Sequence, residues 1–208
     1  MPAYYVSQWN SVEVNFTFWQ LPTAEQLNKR LVAVPAGFQV SFKAPQTITH
    51  VKRLRACAEM LRALGMALQP VKVANKMGLV LFQRPASFHM DVDRLQSFLE
   101  EAAALPMRLA VEFRHESCFT ETVYGALAAQ NVALCPVGSD ELQAPERHTS
   151  NFHCYRLRRS HYGEAAIKLL AARFRTDAKH GDVYAYCMHE EHPDGPLRVR
   201  AVVDEAAQ

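Results

Sequence analysis

The stretch "RLAVEFRHESCF", residues 108–119, decides how the rest of the chain is read. Leu109, Ala110 and Val111 form an apolar run suited to a buried strand, but the run is interrupted by Glu112, and after Phe113 come Arg114 and His115. Ionisable groups at the end of a buried strand are costly unless they are paired. The segment therefore demands compensating charges from elsewhere in the chain. Side chains on a strand alternate faces, so Glu112 and Arg114 share one side and Val111 and Phe113 the other.

The same alternation occurs twice upstream. In residues 11–15 Glu13 and Asn15 lie opposite Val12 and Val14, and in residues 38–43 Gln39, Ser41 and Lys43 lie opposite Phe38, Val40 and Phe42. Further β-like runs fall at 78–83, 131–135, 152–157 and 182–187, which with 108–113 makes seven candidate strands. Helical spacing fills the intervals: "TAEQLNKRL" from Thr23 carries a cap with Gln26 three residues on, "DVDRLQSFLEEAAAL" starts at Asp91, and "EAAIKLLAARFRTDA" follows Gly163. This β-α rhythm predicts a parallel sheet with crossover helices, a TIM-type β/α barrel in one domain over 1–208. The closed form of that architecture has eight strands in about 250 residues, so one β-α unit is missing. "AYYVSQW" reads as the end of a helix leading into the first strand, which places the absent strand before Met1. An open sheet edge results, and a covering segment or a second copy of the chain is expected over it. An open doubly wound sheet is the rival, but no G-x-G-x-x-G or G-K-[ST] loop follows any strand.

Charges cluster at the C-terminal ends of the runs: Glu13, Lys43, Gln83 (polar), Glu112 and, in a later strand, Arg156. In barrels of this class that rim is where active sites are built. The expectation is that Glu112, Arg114 and His115 sit at a polar mouth and are compensated by Lys43 and the other rim charges. The plainer reading is a satisfied polar network that only fills the barrel end. The irregular segment 137–151 exceeds the usual loop length and reads as a lid.

Composition excludes several classes. A formal charge of +2 does not by itself imply nucleic-acid binding. Five separated cysteines without a C-x-x-C pair argue for a reducing, cytoplasmic setting and against a disulfide framework. No apolar run approaches the roughly 20 residues that span a bilayer, and no leader is evident.

"VEVNFTFWQLP", "FKAPQTITH", "LVLFQRPASF" and "AVEFRHESCF", in this order, resemble the YecE-like family, domain of unknown function seventy-two; "YRLRR" and "VYAYCMHEE" fit more loosely. The resemblance implies a TIM-type barrel without an established activity. Its polar pattern falls on Glu13, Asn15, Lys43, His50, Gln83, Glu112, Arg114, His115 and Arg156. The chain also departs from the family. It lacks the opening G-T-S-G-W, reads Arg158 and Arg159 where R-L-H-G has histidine and glycine, and has Met188 and His189 for an asparagine pair. Cys118 replaces a tryptophan and Ala86 a proline.

Two functions follow as expectations. The first is an acid/base enzyme of hydrolase type acting on a phosphorylated or sugar-containing substrate, with Glu13, Lys43, Glu112 and His115 catalytic. Asn15, His50, Gln83, Arg114, Arg156 and Arg158 would bind the substrate, and its anionic group would sit near the "RLRR" cluster. A variant adds a divalent metal held among Glu13, His50, Glu112, His115 and His189, but "HEEH" at 189–192 is not H-E-x-x-H, so no metal ligand is assigned. The second is a binder of an anionic metabolite or nucleic acid without turnover. "HVKRLRACAEMLR" would supply basic residues near the mouth, or form an ordinary helix with a solvated basic face.

Overall fold

The computed structural model describes residues 3–138, 144–159, 161–187 and 195–206. The seven expected strands all form: β1 Ser11–Val14, β2 Gln39–Lys43, β3 Met77–Gln83, β4 Arg108–Glu112, β5 Ala133–Leu134, β7 His153–Leu157 and β8 Val183–Cys187. A short β6, Val137–Gly138, continues β5 beyond Pro136. All pairings are parallel, in the order β1-β2-β3-β4-β5 and β6-β7-β8. The break has a physical cause, because proline has no N–H to give to a ladder. Around it the chain changes partners: Cys135 N donates to Val111 O at 2.9 Å, and Arg156 N donates to Pro136 O at 3.4 Å.

Helices α1 Ala3–Gln8, α2 Ala24–Leu31, α3 Ala58–Val73, α4 Val92–Ala102, α5 Glu121–Ala129, α6 Glu164–Asp177 and α7 Gly195–Ala206 complete the β-α order. The start of α2 is fixed by the expected reciprocal cap between Thr23 and Gln26, and that of α4 by Asp91 accepting from Arg94 N. Strand alternation divides the apolar residues into two shells. Val40, Phe42, Val80, Phe82, Val111 and Phe113 belong to the layer shared with the helices, where Phe82 meets Phe98 edge-on at 5.1 Å. Leu79, Leu81, Ala110, Cys135, Phe152 and Tyr184 fill the interior. All five cysteines are free thiols.

Gly78 permits one close approach inside this shell. A Cβ there would stand 2.3 Å from Ser41 Oγ, which accepts from Leu79 N at 2.9 Å and from Tyr186 Oη at 2.7 Å. The Tyr186 bond joins β8 to β2 across the seam where β1 and β8 share no ladder among the described residues. Outside the seam, Arg200 of α7 donates to Gln8 of α1 at 2.8 Å.

Two expectations are corrected. Residues 50–57 are not the start of a helix. A π-turn, Thr47–Val51, gives way to a bend in which Arg53, Leu54 and Ala56 all have positive φ (51°, 69° and 47°), and α3 begins only at Ala58. The described part of the proposed lid is no lid. Arg147 pairs with Glu121 of α5 at 3.0 Å, and Thr149 Oγ1 donates to Val132 O at 2.7 Å and accepts from Leu134 N at 2.8 Å. These bonds tie residues 144–151 to the flank and lower end of the barrel, because the backbone groups there need partners that a missing crossover helix does not supply. Residues 139–143 lie outside the described residues.

Candidate functional site

The C-terminal strand ends bring together most of the predicted residues. Arg156 on β7 is the hub: Nη1 donates to Glu112 Oε2 at 2.7 Å and to Gln83 Oε1 at 3.0 Å, and Nη2 donates to Glu13 Oε1 at 2.7 Å. Side-chain exposure is 7% for Arg156, 6% for Glu13 and 0% for Glu112. Arg114 Nε donates to the other Glu112 oxygen at 2.7 Å. The charge at the end of β4 is therefore compensated directly by two arginines: of the expected rim charges Arg156 makes the ion pair, Arg114 adds a second, and Lys43 makes no ion pair among the described residues. Arginine suits this position because its planar fork serves several acceptors at once.

The two carboxylates around Arg156 are driven in opposite directions. Burial raises the Glu13 carboxyl, and Glu112 adds to this, so that Arg156 only partly offsets the rise. For Glu112 burial acts upward too, but Arg156, Arg114 and Arg158 outweigh it and hold the carboxyl below its ordinary value. Glu13 Oε2 is buried without a hydrogen-bond partner. The two buried carboxyls on one arginine are thus pushed apart, Glu13 upward and Glu112 downward.

Lys43, at the end of β2, lies with Nζ 4.1 Å from the centre of the Phe18 ring. Burial, followed by repulsion from Arg156 and Arg158, brings its ammonium down to about 8. Burial and then Arg156 also lower the Arg158 guanidinium, which makes no ion pair among the described residues. Among the described residues, Lys43, Arg114, Arg156 and Arg158 thus outnumber Glu13 and Glu112 at the mouth.

His50 is held beside this cluster by the π-turn: its Nδ1 lies 2.9 Å from Thr49 Oγ1 and its ring meets Phe18 edge-on at 5.1 Å. Burial, then Arg84, Lys43 and Arg114, lower its pKa, so the imidazole is neutral at physiological pH. His115 accepts from Ser117 N at 3.2 Å as the cap of the turn 116–118, and its ring lies 4.0 Å from that of His89. Asn15 is exposed just beyond β1 and makes no side-chain cap. Both Glu112 oxygens and the Nδ1 atoms of both histidines are engaged, and no set of metal ligands converges at the mouth among the described residues. His189 and Met188 lie outside the described residues.

Sequence reasoning missed Arg84. It is fully buried, stacks 3.9 Å from the Phe88 ring centre and donates through Nη1 to Thr49 O, leaving Nε and Nη2 without partners. The available signal was its place between Gln83 and Pro85 at a strand end. It anchors the π-turn that presents His50. The left-handed bend after that turn had no signal at all, since "RLRA" contains no glycine or asparagine; such backbone costs about 1–3 kcal/mol per residue and gathers at functional sites.

Parallel strands wrapped by crossover helices, with charged side chains gathered at the strand ends, define a TIM-like α/β protein. The sequence pattern of the family described as "Protein of unknown function DUF72" matches residues 3–208, and the chain belongs to that family. It is 30% identical to the UPF0759 protein YecE of Escherichia coli K12 over 120 residues, 56% of this chain and 42% of that protein. It is also 30% identical to the UPF0759 protein YunF of Bacillus subtilis 168 over 127 residues, 58% of this chain and 44% of that protein. The matched region thus spans less than half of these relatives. Among solved structures, a DUF72 family protein from Enterococcus faecalis V583 superposes with a TM-score of 0.85 at 16% identity, covering 99% of this chain and 88% of that one. One from Thermotoga maritima MSB8 gives 0.74 at 21%, covering 98% and 88%. These likenesses establish the fold.

Proposed function

We propose that the chain is a hydrolase-type acid/base enzyme that holds the anionic group of a phosphorylated or sugar-containing substrate at the mouth of the barrel. The observation that carries this reading is the unbalanced charge of a largely buried cluster: among the described residues four cations face two carboxylates, one of which is itself raised toward neutrality. A desolvated excess of positive charge is unfavourable alone and becomes favourable with an anion present. Arg158, Arg114 and Lys43 take the anion. Glu13, with its unpartnered oxygen, carries the proton to or from the leaving group. Glu112 and Gln83 fix the arginine fork. His50 and Asn15 border the cluster as substrate contacts, and His115 is the remaining catalytic candidate.

Glu13→Gln separates catalysis from binding, since it keeps the size of the side chain and removes its proton chemistry. An enzyme retains affinity for its phosphorylated ligand and loses turnover by about 10²-fold or more in a screen of phosphoesters and sugar phosphates. Binding of such a ligand with no turnover in either protein would replace the enzyme by the second reading, a non-catalytic binder of an anionic metabolite or nucleic acid. The basic bend with Lys52, Arg53 and Arg55 beside the mouth favours that reading. A second copy of the chain over the β1–β8 seam belongs to the same proposal, supported by the partial exposure of β1 and β8. Light scattering that gives a monomer at every concentration removes it.

A further inference from the structure

At the other end of the barrel, three ligand-type side chains from separate elements meet. His153 opens β7, Asp177 closes α6, and His148 comes from the segment that replaces a crossover helix. One ligand atom from each lies within 4.8 Å of the others. His148 Nε2 and Asp177 Oδ1 are 3.3 Å apart. Tetrahedral zinc with bonds of about 2.0–2.2 Å requires donor atoms roughly 3.3–3.6 Å apart, so this pair already has the spacing of one tetrahedral edge.

A histidine–aspartate ion pair would account for that distance without a metal, but it does not account for His153. That residue is 5% exposed, its Nε2 is buried, and the nitrogen has no hydrogen-bond partner. Buried polar atoms are nearly always satisfied, so an orphan nitrogen on a residue of this ligand cluster calls for a missing partner. The other Asp177 oxygen is occupied by Tyr155 Oη at 2.5 Å, a bond of the kind that orients a metal-binding carboxylate from behind. Arg173 pairs with Glu146 and its Nε stands 4.0 Å from Asp177 Oδ2, the oxygen that Tyr155 holds, which leaves Oδ1 to face His148. A small cleft bordered by Glu146, Thr149 and Ser150 runs beside His148 and His153.

We propose that His148, His153 and Asp177 form a structural site for a divalent transition metal of the zinc class, which clamps the irregular segment 144–151 to β7 and α6. Among the described residues no crossover helix joins β6 to β7, and the metal holds segment 144–151 against the sheet in its place. The role is structural because chemistry in this fold is built at the other end of the barrel.

The test is titration of the chelator-treated full chain with zinc, followed by cobalt(II), whose visible absorption reports tetrahedral coordination. The expected results are one equivalent bound, tetrahedral cobalt bands and a higher melting temperature with zinc. His148→Ala, at a half-exposed position that does not threaten folding, and Asp177→Asn, which keeps an acceptor for Tyr155, should each weaken binding at least about tenfold. Absence of stoichiometric binding overturns the proposal. So does binding that survives both substitutions or that is lost in Glu13→Gln, because the metal would then sit elsewhere.

Discussion

The two ends of the barrel handle charge differently. At the lower end Arg108 reaches Asp182 and the Tyr184 hydroxyl, each at 2.6 Å, with both charged side chains substantially exposed. One cation meets one anion, and water reaches both. At the mouth Glu13, Glu112 and Arg156 are nearly sealed from water, and two further cations, Lys43 and Arg158, stand by without a carboxylate of their own among the described residues. A buried network that only closed the barrel would be neutral, as the Arg108–Asp182 pair is. An unpaired positive excess costs stability, and it is understandable where a ligand supplies the missing negative charge.

The largest expected effect comes from breaking the hub. Arg156→Met leaves Glu13 and Glu112 buried without their shared cation, and urea unfolding should show a loss of about 3–5 kcal/mol. A loss under about 1 kcal/mol would mean that water enters the mouth freely. Gly78→Ala forces a Cβ against Ser41 Oγ and should cost roughly 1–3 kcal/mol through overpacking, while leaving the charges at the mouth untouched. Retention of full stability in the alanine variant would show that β2 and β3 can separate at low cost.

Lys43→Met sharpens the comparison by sign. The folded protein releases the Lys43 proton near 8, whereas the unfolded chain releases it near 10.5. Between those values the unfolded state binds more protons, so the contribution of Lys43 to stability rises as pH rises through that window. The methionine variant should lack that rise, be at least as stable at pH 7, and bind phosphate less well. A variant less stable at pH 7 would place Lys43 in a favourable pair. The smallest effect is expected away from both ends, where Thr23→Ala removes the cap of α2 at a cost of about 1 kcal/mol, read from the unfolding midpoint.

The barrel was legible because period-two alternation in three runs separated an apolar helix-facing side from a polar interior, and the caps at Thr23 and Asp91 are local in sequence. Glu13, Gln83, Glu112 and Arg156 were legible as polar residues at strand ends. Their partners were not, because pairing across the barrel depends on register between strands far apart in sequence: Arg156 and Glu13 are separated by 143 residues. The bend at Arg53–Ala56 and the buried Arg84 were hidden for another reason. Non-glycine residues adopt positive φ only under tertiary constraint, and nothing in "QRP" indicates a guanidinium sealed against Phe88. The length of segment 137–151 alone points to a lid, whereas Thr149 and Arg147 fasten its described part to the barrel.

The central claim is that the mouth is an anion site, and calorimetric titration of inorganic phosphate and pyrophosphate into wild type, Arg158→Gln and Lys43→Gln tests it most directly. The account predicts saturable one-to-one binding that weakens with salt, falls as pH rises through about 8, and drops at least about tenfold in each variant. Absence of binding, or binding that both variants retain, would contradict it and return the cluster to a polar plug.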